Sequence, residues 1–118
     1  MTLESAISDL QEALSAGRTS SNWRWLVRQR LSAVRQALSD ENFESWDGWL
    51  AARTGATDRE RRQLLARIST IGTGLLERLD ADRISIEVRR LLADVEHYRQ
   101  RVHDLIYDSV ALEIGGSE

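Results

Sequence analysis

The chain has 118 residues, is 42% hydrophobic and 30% charged, and carries a formal net charge of -3. This supports one core, so residues 1–118 read as a single soluble domain. The absence of Cys excludes a disulfide framework and a thiolate metal site, and no apolar run approaches the roughly 18 residues of a membrane span.

The negative balance argues against a nucleic-acid partner. Glu4, Asp9 and Glu12 near the N-terminus do not suit a signal peptide, so the expected location is intracellular, in the cytoplasm. Every one of the 16 basic residues is Arg. One reading is recognition of phosphate or carboxylate by bidentate forks. The plainer reading is codon bias in a GC-rich bacterial genome, with arginines spread over every helix among 19 acids as a mixed-charge surface.

Leu3, Ile7, Leu10 and Leu14 recur at helical spacing and predict a first helix over residues 1–16, with Thr2 as N-cap and Gly17 as stop. Gly17 to Ser21 is a linker of turn formers. Ser21 or Asn22 then caps a second helix to about Asp40, with Trp23, Leu26, Val27, Leu31, Val34 and Leu38 on its face. Between Phe43 and Arg53, the residues Phe43, Trp46, Trp49 and Leu50 predict a short extra helix that Gly55 terminates; a turn at Asp47-Gly48 is the alternative. These aromatics suit either a binding surface or a cap that closes one end of a bundle.

Thr57-Asp58-Arg59-Glu60 has the pattern of a capping box. A third long helix should follow, with Leu64, Leu65, Ile68, Ile71, Leu75, Leu76 and Leu79 inward. Gly72 and Gly74 inside it predict a kink or a close approach to a neighbour, and Ser69-Thr70 would reinforce a kink. Asp80 or Asp82 caps the longest helix. Its apolar seam is Ile84, Val88, Leu91, Val95, Tyr98, Val102, Leu105 and Leu112, widened by Leu92 and Ile106, and it ends near Glu113 in a frayed tail, 113–118. Short connections force antiparallel neighbours. The expected fold is all-α: an up-down-up-down four-helix bundle with a short extra helix between the second and third main helices.

Nucleophilic catalysis lacks its parts. There is no Cys, no Gly-x-Ser-x-Gly elbow, and no Lys for a phosphate-binding loop. No enzymatic activity and no cofactor are expected. His97 and His103 lie six residues apart and do not share a helix face. The heptad register puts both off the apolar seam. The candidate metal set is His97 with Glu41 and Glu44, one imidazole and two carboxylates, as in an Fe(II) facial triad.

The segment Leu92 to Gly116 contains Asp94-Val95-Glu96-His97-Tyr98 and ends in Leu112-Glu113-Ile114-Gly115-Gly116. It resembles the last helix of hemerythrin-like (HHE cation-binding) proteins, which are bacterial four-helix bundles. Trp23 to Asp40 is similar to the first core helix of that family, and Asp40-Glu41 through Leu50 stands where the family has its second ligand segment. The resemblance implies the bundle. His97 aligns with the ligand histidine of the last helix, but Arg101 or Val102 replaces the carboxylate one turn later. Glu41 replaces a histidine, and Arg61 after Glu60 replaces the histidine of a Glu-His pair. A di-iron site needs several inward ligands from different helices. What the resemblance implies is therefore a bundle without its metal centre, a non-catalytic interaction or scaffold protein. The overhang of the last helix points to a protein partner, with a homodimer as the expected form. The alternatives are a weak mononuclear metal protein, or a small-molecule sensor with a cavity lined by Trp23, Trp46 or Trp49.

Overall fold

A computed structural model describes residues 2–16, 21–40, 48–75, 78 and 80–115; side chains at 48–54, 75 and 109–115 are outside the description. Helices account for its regular structure, and no strand occurs among the described residues. The four helices are α1 (Leu3–Ser15), α2 (Trp23–Ser39), α3 (Gly48–Thr70) and α4 (Ala81–Gly115), with a π-helical turn at Ile71–Leu75. The molecule is a rod of 60 × 21 × 20 Å. No described helix is long and apolar enough to cross a membrane.

The caps follow the local chemistry. Thr2 Oγ1 accepts from the backbone N–H of Ser5 at 3.1 Å, which satisfies one of the orphan donors at the start of α1. Asp80 does the same for α4, accepting from the N–H of Arg83 at 2.8 Å. Asn22 stands at the N-cap position of α2 without a side-chain capping bond; its carbonyl accepts from Leu26 at 2.9 Å. Gly17, expected to stop α1, lies outside the described residues, as do Leu76 and Leu79.

One expected boundary is absent. Gly55 ends no helix and Thr57 caps none, because α3 runs unbroken from Gly48 to Thr70. Thr57 is buried in mid-helix. The carboxylates of the supposed capping box turn sideways instead: Asp58 to Arg61 and Arg62, Glu60 to Arg101. A helix interior tolerates Gly at about 1 kcal/mol, and a Cβ at Gly55 would meet only the far end of Arg59 at 4.0 Å. The upstream part of the expected short aromatic helix, Phe43 and Trp46, is outside the described residues.

The two glycines further on mark a real irregularity. The chain widens into a π turn at Ile71–Leu75. Thr70 Oγ1 donates to the carbonyl of Ala66 at 3.0 Å, and Thr73 Oγ1 to that of Ser69 at 2.8 Å. Such back-bonding bends helices. A close approach is not the cause, since a Cβ at Gly72 or Gly74 would meet nothing within 4 Å.

α1 packs against α2, α2 against α3 and α3 against α4, and α1 also touches α4. Positions rising along α3 meet positions falling along α4: Glu60 pairs with Arg101, and Arg67 Nη1 lies 2.6 Å from Asp94 Oδ2. Likewise Arg61 meets the carbonyl of Leu38 late in α2, while Ile68 and Gly72 lie beside Arg28 and Leu31 early in it. The core takes the predicted seams: Leu3, Ile7, Leu10 and Leu14 of α1, Val27, Leu31, Val34 and Leu38 of α2, and Ile84 through Tyr98 of α4. Among the described apolar side chains, α3 buries Leu64 and Ile68 and the π turn buries Ile71; Leu65 is only half-buried, as is Val102 on α4.

Candidate functional site

His97 projects from the exposed face of α4. The carboxylate one turn before it, Asp94, is engaged across the helix pair by Arg67. His103 is also exposed, with Nδ1 3.8 Å from Asp104 Oδ1. Glu41 and Glu44, the other two members of the candidate metal set, lie outside the described residues. Among the described residues no three His, Asp or Glu side chains are grouped to hold a metal ion.

The arginines at two positions where the resemblance has ligands are engaged in ion pairs. Arg61 Nη2 donates to Asp58 Oδ1 at 2.7 Å, and its Nη1 reaches the carbonyl of Leu38 at 3.4 Å. Arg62 Nη2 holds the other oxygen, Asp58 Oδ2, at 2.5 Å. The bond from Arg61, then that from Arg62, holds the Asp58 carboxyl below its usual value of 3.8, against a smaller opposing effect of burial. Arg101 forks onto Glu60, with Nε 3.0 Å from Oε2 and Nη2 bonded to Oε1. A planar fork on a carboxylate fixes orientation as well as charge, so the Glu60–Arg101 pair ties α3 to α4; the Asp58 pairs lie within α3.

Of the described tryptophans, Trp23 lies in the core and Trp25 on the surface. Trp23 is 2% exposed, and its indole N–H donates to the carbonyl of Ala13 at 3.0 Å. It plugs the junction of α1 and α2 and satisfies a carbonyl at the end of α1. Trp46 and the side chain of Trp49 are outside the described residues. Trp25 is 61% exposed.

An apolar surface forms at the C-terminal end of α4. The carbonyl of Leu38, at the end of α2, meets Arg61, and the neighbouring Glu60 meets Arg101. So α2 stops level with Arg101. Beyond it α4 continues from Val102 to Gly115, about 20 Å of helix. Val102 and Leu105 are half-buried there, Ile106 is 45% exposed and Tyr107 69%. Only α2 stops here: α3 begins at Gly48, before Glu60 in the chain, and continues alongside this part of α4, so the last helix does not outreach all its neighbours; Ile84 and Val88 at its other end are fully covered.

Sequence reasoning missed a second feature, a groove between α2 and the π turn. The signal was the charge of α2, which holds Arg24, Arg28, Arg30 and Arg35 and no acid, while α1 holds Glu4, Asp9 and Glu12 and no base. The arginines are not spread over every helix. Compared with known protein families, curated proteins and solved structures, the chain matches none.

Proposed function

We propose that this protein is a non-catalytic up-down-up-down helical bundle that works as an interaction protein, and that its partner is a second copy of itself docked on the C-terminal end of α4. The reversed contacts between consecutive helices support the arrangement. The observation that carries the function is the exposure of Ile106 and Tyr107 where a buried seam runs past the end of α2. Two large apolar side chains exposed in succession, next to the half-buried Val102 and Leu105, are what a partner site would cover. A two-fold dimer uses the same patch twice and is the commonest closed assembly.

Charge opposes a second copy, and the apolar contact has to outweigh it. The chain as a whole is at -3, which would set two copies against each other. Beside the patch Arg99 and Arg101 are already paired with Glu96 and Glu60, so the uncharged side chains Val102, Leu105, Ile106 and Tyr107 must carry the contact. The likeness to hemerythrin-like proteins enters this reading as the bundle alone. Arg61 and Arg101 bring cations to positions where that family has ligands, and they are bonded to Asp58 and Glu60.

Sedimentation equilibrium tests the proposal. The wild-type chain should form dimers at micromolar concentration. Ile106→Glu should weaken them at least about tenfold, because it removes a large apolar side chain from the contact and inserts a charge. Ile86→Glu is the control, since Ile86 is 44% exposed on the same helix but away from the patch. A wild-type chain that stays monomeric at high micromolar concentration, or equal effects from both variants, would overturn it.

A further inference from the structure

We propose that two copies join end to end in a lap. The C-terminal ends of their α4 helices lie antiparallel, tip past tip, across a two-fold axis that is perpendicular to the rods and passes near Tyr107. This rests on the dimer proposed above and fixes its geometry.

The rod has a step. α2 ends at Ser39, level with Arg101, since the carbonyl of Leu38 meets Arg61 and the adjacent Glu60 meets Arg101. α1 has 13 residues against 17 in α2, and the bond from Trp23 to Ala13 pins its end to the start of α2. In the up-down arrangement α1 therefore stops short of that level too. α3 begins at Gly48, so its residues before Glu60 run beside α4 beyond Arg101. Among the described residues the rod thus narrows from four helices to two, over the roughly 20 Å from Val102 to Gly115. Ile106 lies about five helical turns beyond Val88 at 3.6 residues per turn, so the two share one face of α4. Val88 is fully buried on that face, whereas Ile106 is 45% exposed. The exposed side chains therefore point into the missing half of the rod.

Two such steps fit each other in one sense only. Side by side and parallel, the rods touch along their full-thickness bodies first, and the recessed patches stay apart. Turned end for end, each thinned end enters the recess of the other, and both patches are covered at once. Residue contacts are then reciprocal, as a two-fold axis requires. The lap also keeps the two bodies apart, which lessens the repulsion between chains of net charge -3. Its face is two helices wide, on the order of 400 Å² of flat area per copy. Standard interfaces bury about 800 Å² per partner, so the contact belongs at the weak end, in keeping with a dimer that forms at micromolar concentration.

Small-angle X-ray scattering of the full chain at high micromolar concentration tests this by length. Two 60 Å rods that overlap by roughly 20 Å should give a dimer about 100 Å long. A dimer that stays near 60 Å would overturn the lap and leave the dimer standing; a chain that stays monomeric would overturn both. Cross-linking reads the axis directly. The chain has no Cys, so single substitutions report on their own copies. Tyr107 and His103 are both exposed, one turn apart on α4. Under mild oxidation Tyr107→Cys, near the axis, should link to its own copy at least about tenfold more than His103→Cys, which the lap holds beyond disulfide reach of its copy. Equal yields from the two variants would overturn the lap.

Discussion

From Ile84 to Tyr98 the seam of α4 is almost wholly buried; from Val102 to Tyr107 it is half-buried or exposed. The side chains are of the same kind at both ends. What differs is the number of neighbours. The first stretch belongs to one buried cluster with residues of α1, α2 and α3, whereas the second lies beyond the level of Arg101, where α2 ends at Ser39. The comparison teaches that a helix's apolar stripe records what it can bury, while the lengths of its neighbours decide what it does bury. The difference between the two stretches is the amount of apolar area still available to a partner.

The largest expected effect is on the buried stretch. Leu91→Ala should lower unfolding free energy by about 2–5 kcal/mol, the range for truncation in a packed core. Leu105→Ala should cost markedly less in the monomer, since Leu105 is only half-buried. Urea unfolding of dilute protein measures both, and equal losses would erase the contrast between the two stretches. Next in size is Trp23→Phe at the closed end of the rod. It keeps most of the buried ring but loses the bond to the carbonyl of Ala13, and should cost about 1 kcal/mol.

The smallest effect concerns pH at the level where α2 ends. The carboxyl of Asp58 is held below 3.8 by Arg61 and Arg62. A carboxylate whose folded value is depressed adds stability above its unfolded value and loses it as pH falls through the folded one. Stability should therefore decline as pH drops below 3.8, and Asp58→Asn should flatten part of that decline. Asp58 is 28% exposed on its side chain, so the substitution should cost under about 1 kcal/mol near neutral pH. Thermal unfolding of both proteins across the acid range measures it; identical slopes would remove Asp58 from the account.

The seams of α1, α2 and α4 were legible because each repeats its apolar residues at the helical period over several turns, and burial followed from that alone. The break at Thr57 was misread for a physical reason. Hydroxyl and carboxylate three residues apart suit a capping box, but the same carboxylates serve equally well against arginines on neighbouring turns and on α4. Local pattern does not distinguish those uses. The irregularity at Gly72 and Gly74 was legible from composition, while the groove beside it was not, because Arg35 and Ser69 come to line one groove only after α2 and α3 pack. For the metal set, His97 could be placed by the heptad register off the seam, and the structure exposes it there.

Hydrogen exchange at low and high protein concentration tests the central claim most directly. The account predicts that amides from Val102 to Tyr107 become more protected as concentration rises, while those from Ile84 to Tyr98 are strongly protected throughout. Protection of Val102 to Tyr107 that is independent of concentration would contradict it.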